Sequence, residues 1–182
     1  MKYDETISLK DGRTLRLRNG VEQDARAALE IFILGHEQTD YLLSYPDEND
    51  MTVDEEAQFL AKKAASADEI ELLAYIGDRI VGLAGIEKIG TFDKIRRRAT
   101  LGLHVDQNFW GLGIGRALTR ACVECARIAG YAQLELEVVA ENQRAIALYQ
   151  SEGFVEYGRN PRGFYSRLTG WQELTLMRLE LD

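Results

Sequence analysis

The chain predicts an α/β layered domain in which a mixed, mostly antiparallel central sheet is flanked by helices. Three observations predict it. Short alternating segments meet at Asp11-Gly12 and again at Gly77-Asp78, both turn dipeptides. Strand-like and helix-like stretches are interleaved along the chain rather than segregated. Between Ala99 and Ala129 a strand-like run, a glycine-rich loop and an amphipathic helix follow one another.

Each element has a local reason. Ile7 to Lys10 and Thr14 to Arg18 alternate around Asp11-Gly12 and read as a hairpin. Ala25 to about Gly35 reads as a helix with Ala28, Leu29, Ile31 and Phe32 on its inner side. Leu34 to Asp50 is polar and aromatic, contains Pro46, and reads as a loop. Thr52-Val53-Asp54-Glu55 is a capping box that opens a helix to about Ser66. Glu69 to Ile76 and Arg79 to Ile89 form the second hairpin, and Ile95 to Val105 the next strand. After the glycine loop come a helix from Ala117 to about Ala129, a strand beginning at Gln133, and a helix capped by Asn142. Strands at Phe154 to Arg159 and Trp171 to Leu181 end the chain, with the intervening residues as a loop.

The 182 residues suit one domain, residues 1–182, with a good core. Hydrophobic content of 46% and charged content of 29% make an ordinary soluble mixture, and two prolines without a Gly/Ser-rich stretch give no internal boundary. The start Met1-Lys2-Tyr3-Asp4-Glu5 lacks a signal peptide's apolar core, and no apolar run approaches the roughly 20 residues that span a bilayer. A cytoplasmic enzyme with no membrane partner is the expectation. The net charge of −8 disfavours nucleic acid as a partner and suits a cationic acceptor. Arg96-Arg97-Arg98, the one basic cluster, reads as a solvated hairpin end. Cys122 and Cys125 are spaced C-x-x-C within a helix, with no second pair and no histidine at ligand spacing. They read as small core hydrophobes, and no metal is expected.

Trp110-Gly111-Leu112-Gly113-Ile114-Gly115-Arg116 lies between the strand and the helix. Glycines there let backbone N–H groups approach a phosphate, and the helix N-terminus adds partial positive charge. The nucleotide P-loop is excluded because Gly115 is followed by Arg116-Ala117 rather than Lys-Ser/Thr. The dinucleotide fingerprint fails because Arg116 or Leu118 falls where its third glycine must stand. Downstream, Leu134, Leu136 and Val138 alternate as a strand, and Ala145, Ile146, Leu148 and Tyr149 make a helical stripe that stops at Gly153.

Together these two segments resemble the GNAT superfamily of N-acetyltransferases. The family loop reads Arg/Gln-x-x-Gly-x-Gly/Ala, and Trp110 to Gly115 fits it except at Trp110. The second match is Asn142-x-Arg144-Ala145-Ile146-x-Leu148-Tyr149-x-x-x-Gly153-Phe154. The resemblance covers about Ile80 to Phe154, under half the chain, and implies a GNAT-like acyl-CoA N-acyltransferase fold with a sheet splayed between its two central strands.

It further implies acetyl-CoA as donor and a primary amine of a small molecule or peptide as acceptor. The pyrophosphate would sit on the backbone of Gly111, Leu112, Gly113, Ile114, Gly115 and Arg116, beside Trp110. Leu103, His104 and Val105 would pair with the pantetheine arm, and the Val105 N–H would face the thioester carbonyl. Asn142 and Ala145 would contact CoA. Tyr149 would be the general acid for the departing thiolate, although helical spacing alone makes it a core residue. The family's frequent glutamate early in the strand before the loop is replaced by Thr100. Glu87 ranks first as general base, ahead of Glu137 and His104, with a water chain as the alternative. The acceptor site would use the loop bearing Tyr41, Tyr45, Asp47, Glu48 and Asp50 and the loop bearing Arg159, Arg162, Phe164, Tyr165 and Trp171. A homodimer is the assembly to test. A catalytically silent acyl-CoA-binding regulatory module is the competing function, and an edge-strand dimerisation protein the third.

Overall fold

In the computed structural model, which describes residues 1–181, turn chemistry and alternation set the first four strands. Strands β1 (Asp4–Ser8) and β2 (Thr14–Asn19) form a hairpin, with Gly12 at φ +85° in its turn. Leu9 and Lys10, expected on the first strand, belong to that turn, because the Leu9 N–H donates to Arg13 O at 2.8 Å. Strands β3 (Ile70–Ile76) and β4 (Arg79–Lys88) form the second hairpin, and β5 (Arg98–Val105) pairs antiparallel with β4. The β5 strand starts later than the expected Ile95, since Phe92 O accepts from the Ile95 N–H and Ile95 O from the Arg98 N–H, both at 3.0 Å. Local turns therefore use backbone groups that a longer strand would need.

Helix α1 (Ala25–Gln38) and helix α2 (Val53–Ala65) cover one face of this meander. The α2 capping box forms as read: the Glu55 N–H donates to Thr52 Oγ1 at 3.3 Å, and the Thr52 N–H to Glu55 Oε2 at 2.8 Å. Helix α1 runs three residues past Gly35 instead of stopping there. Gly35 is a packing residue: a Cβ on it would lie 2.6 Å from the His104 ring of β5. The other face carries helix α3 (Ile114–Ile128), which buries Ala117, Leu118, Ala121, Cys122, Cys125 and Ala126 against Leu15, Leu17, Leu72 and Ile86. Cys122 and Cys125 are buried free thiols, and among the described residues no cluster suits a metal ion.

Strand β6 (Gln133–Val139) returns parallel to β5, as a crossover helix requires. Helix α4 (Gln143–Ser151) follows, then a hairpin of β7 (Val155–Ser166) and β8 (Gly170–Glu180). The eight-stranded order is β1-β2-β3-β4-β5-β6-β8-β7. The last hairpin is longer than expected, so Arg162, Phe164 and Tyr165 lie on a strand, not on a loop. Pro161 obscured this. It is tolerated because β7 is an edge strand and its register shifts between Asn160 and Phe164. No helix among the described residues is long and apolar enough to cross a membrane.

The contact between Gly35 and His104 yields a stability prediction. Gly35→Val should cost about 1–3 kcal/mol in urea unfolding, as overpacking does. Adding His104→Ala should recover part of that loss, and simple addition of the two single-variant losses would contradict the contact.

Candidate active site

The site exists because β5 and β6 part. They pair only at Arg98–Gln133, Ala99–Leu134 and Thr100–Glu135. Beyond these, β5 stays with β4 as far as Val105 and β6 stays with β8 as far as Val139. The wedge between them is a cleft of about 950 Å³. Its base is tied by Glu135, whose carboxylate accepts from Arg98 Nη2 and Gln133 Nε2, each at 2.8 Å, and from Tyr157 Oη at 3.4 Å. Burial works against this carboxylate, but the Arg98 bond and charge outweigh it and hold its pKa below the usual range. Arg98 is thus an ion-pair partner at the parting of the strands, not the solvated end that the basic cluster suggested.

The β5 backbone faces this cleft in a defined way. Bonded and non-bonded pairs alternate in an antiparallel ladder. The Asp106 N–H donates to Val81 O at 2.9 Å and the Ile89 N–H to Arg98 O at 3.1 Å, so even-numbered β5 residues bond to β4. Leu101, Leu103 and Val105 therefore turn their N–H and C=O groups away from β4, and past the Leu101 N–H, which the Thr100–Glu135 pair still holds on β6, these groups face the cleft. The Val105 carbonyl takes the Trp110 indole N–H at 2.7 Å.

At the open end the loop enters α3 through Gly111 at φ +83° and Gly113 at φ +96°. Both are in the left-handed region that glycine enters without strain. Helix α3 begins at Ile114, three residues before the expected Ala117. Ile114, Gly115 and Arg116 are consequently its first turn, and their N–H groups lack intrahelical acceptors. Trp110, Gly111, Gly113, Ile114, Gly115 and Arg116 all line the cleft, and Leu112 packs against the core instead.

Opposite, the Asn142 side chain caps α4 by accepting from the Ala145 N–H at 3.2 Å, and Asn142, Ala145 and Tyr149 line the same cleft. The Tyr149 ring is 7% exposed and tilts against Phe154. Its hydroxyl makes no hydrogen bond to another described residue, and burial pushes its pKa well above the ordinary phenol value. Tyr149 is therefore protonated at neutral pH.

Leu103, His104 and Val105 also line the cleft, and Glu87 does not. Glu87 turns to α2, where Lys63 Nζ lies 2.7 Å from its Oε1. Glu137 is exposed on β6, lines the cleft and has no ion-pair partner among the described residues. His104 faces α1, and its Nε2 lies 2.7 Å from Ile31 O. A carbonyl only accepts, so Nε2 carries the proton. Burial lowers the pKa of His104 to about 4, leaving it neutral.

On the expected acceptor side, Tyr41 and Phe164 reach the cleft. Asp47 and Glu48 are instead paired with Arg167, and Arg159 with Glu156 and Glu173. Tyr165 and Trp171 stack edge-on, and neither they nor Arg162 lines the cleft. Lys10, Gln38, Leu43, Glu135 and Tyr157 line it without having been singled out by sequence. Glu135 had one legible signal, its alternation with buried Leu134 and Leu136.

A parted sheet with a backbone edge on one limb and a helix N-terminus at its mouth takes an extended, phosphate-bearing carrier. This is the class of CoA-dependent N-acyltransferases. The model of the Acetyltransferase (GNAT) family matches residues 33–154. The chain belongs to that family. It is 28% identical over 135 residues to the L-amino acid N-acyltransferase MnaT of Escherichia coli, covering 74% of this chain and 78% of that one. It is 38% identical over 109 residues to the N-alpha-acetyltransferase RimI of Mycobacterium tuberculosis, covering 57% and 65%. A GNAT-family acetyltransferase structure from Streptococcus pneumoniae superposes with a TM-score of 0.86 at 29% identity, covering 92% of this chain and 99% of that one.

His104 gives the site a pH signature. Its folded pKa of about 4 is below the unfolded value near 6.5, so the unfolded state binds the proton first and stability falls as pH drops through that interval. Urea unfolding should show this slope in the wild type and a flatter one in His104→Gln. Equal slopes would contradict the assignment.

Proposed function

We propose that this protein moves an acetyl group from acetyl-CoA to a primary amine of a small molecule or peptide, by direct attack in a ternary complex. One observation carries the reading: the cleft-facing backbone of β5, the first turn of α3 and the protonated Tyr149 meet in one cleft. The pantetheine arm would add to β5 as a strand does, through the C=O of Leu101, the N–H and C=O of Leu103 and the N–H of Val105. The pyrophosphate would rest on the N–H groups from Gly111 to Arg116.

The acceptor nitrogen must be neutral to attack, and an alkyl ammonium has a pKa near 10.4. Its lone pair adds to the thioester carbon while the carbonyl oxygen gains negative charge. The Val105 N–H would donate to that oxygen. Collapse expels the CoA thiolate, and Tyr149 donates to the sulfur. The nitrogen sheds protons to a base. Here Glu137 is favoured over Glu87, because Glu137 opens on the cleft whereas Glu87 is engaged by Lys63 away from it. The base works directly or through a water. The two relatives are named as an L-amino acid N-acyltransferase and an N-alpha-acetyltransferase, so α-amines are the first acceptors to try.

Free-thiol release should be followed with acetyl-CoA and a panel of L-amino acids, peptides and other amines. Turnover with one acceptor class is expected. Tyr149→Phe should then lower kcat on the order of a hundredfold, and Glu137→Gln should do likewise with its pH optimum displaced upward. Glu87→Gln should stay within about threefold of wild type, having no contact with the reacting atoms. Full activity in Tyr149→Phe would remove the acid assignment. CoA binding without turnover on any amine would favour the silent binding module.

A further inference from the structure

Helix N-termini favour nearby anions and acidic side chains. The first turn of α2 follows the rule, with Asp54, Glu55 and Glu56. Helices α3 and α4 do not: neither has an acid in its first turn, and each places an arginine there, Arg116 and Arg144. Both arginines line the cleft. A cation at a helix N-terminus is locally unfavourable, and such departures from a local rule belong at functional sites.

The two arginines are not equivalent. Arg116 Nε lies 2.9 Å from Glu152, which also holds Arg120 at 2.8 Å, and the Arg116 Nη2 donates to Ser151 at 3.2 Å. Its charge is already compensated. Arg144 has no carboxylate partner among the described residues. Its guanidinium instead lies over the Trp110 ring, 4.5 Å from the centroid. The indole N–H is fixed on the Val105 carbonyl at 2.7 Å. Trp110 comes from the β5 limb and Arg144 from α4, which follows β6, so the stacked pair bridges the mouth of the cleft beside the first turn of α3. An aromatic face orients a guanidinium while leaving its N–H edge free to hydrogen-bond, and that fork matches phosphate oxygens.

We propose that Arg144, carried on the Trp110 ring, is a donor-binding residue that hydrogen-bonds the pyrophosphate of the acyl-CoA. This rests on the acetyl-CoA reading above and adds a side chain to a loop that otherwise offers backbone.

The test is calorimetric titration of the full chain with CoA and with dephospho-CoA, which keeps the pyrophosphate and lacks the 3′-phosphate. Arg144→Ala should weaken CoA about tenfold to a hundredfold, the range of a hydrogen bond to a charged group. Dephospho-CoA should lose the same factor, the salt dependence of Kd should become shallower, and thermal unfolding should not change. Arg144→Lys should restore part of the affinity. Trp110→Ala should weaken CoA, with the double variant losing less than the sum of the two free energies. A Kd for CoA within about twofold of wild type in Arg144→Ala would overturn the proposal. So would a loss seen with CoA but not with dephospho-CoA, or a loss with unchanged salt dependence. Failure of the wild type to bind CoA would instead overturn the donor reading itself.

Discussion

The structure depends on where two parallel strands stop pairing. Three residue pairs join β5 and β6, and past Thr100 each strand is held by its other neighbour alone. Buried backbone polar groups need partners. A β5 edge that turns the C=O of Leu101, the N–H and C=O of Leu103 and the N–H of Val105 into a cleft is therefore a template for an extended ligand. The rest of the fold keeps that edge open. Glu135 ties the strands at the base through Arg98, Gln133 and Tyr157, while β4 and β8 support the two limbs from outside.

The two faces of the sheet divide the work. The α3 and α4 side supplies the glycine loop, Asn142 and Tyr149. The α1 side supplies Tyr41 and Leu43, with Phe164 reaching over from β7. Two carboxylate networks join these parts. Asp106 accepts from Gln38 Nε2 at 2.9 Å, Arg79 Nη2 at 2.7 Å and the Asn108 N–H at 3.0 Å, fixing the end of α1 to the approach of the glycine loop. Asp40 accepts from Ser166 Oγ at 2.6 Å and Tyr45 Oη at 3.0 Å, fixing the loop after α1 to the β7–β8 turn. Arg167 adds its pairing with Asp47 and its stacking over Tyr45 at 4.2 Å. Acids and aromatics that look like an acceptor surface in the sequence thus largely hold the wall in place. Of the cleft-lining carboxylates, Glu137 and Glu141 have no ion-pair partner among the described residues.

Much of this was legible in the sequence. Strand alternation, Asp11-Gly12, Gly77-Asp78 and the Thr52 box placed most elements, and the glycine loop with the Asn142–Tyr149 segment pointed to residues that line one cleft. The misreadings share a cause, in that a local signal was overridden by tertiary contact. Gly35 reads as a stop but packs under His104. Pro161 reads as a loop but sits at a bulge on an edge strand. The helix after the loop begins at Ile114 because Gly113 in the left-handed region lets it, although Gly115 lowers its propensity. Glu87 ranked first as base by its place on β4, and no periodicity could reveal that Lys63 of α2 would engage it.

Amide hydrogen exchange across residues 101–105 tests the central claim most directly. If this edge of β5 takes the donor as a strand takes its neighbour, saturating CoA should slow exchange at Leu103 and Val105 while leaving the amides already bonded within the sheet, Leu101, Gly102 and His104, nearly unchanged. Exchange at these two residues that does not respond to bound CoA would show that the donor lies elsewhere.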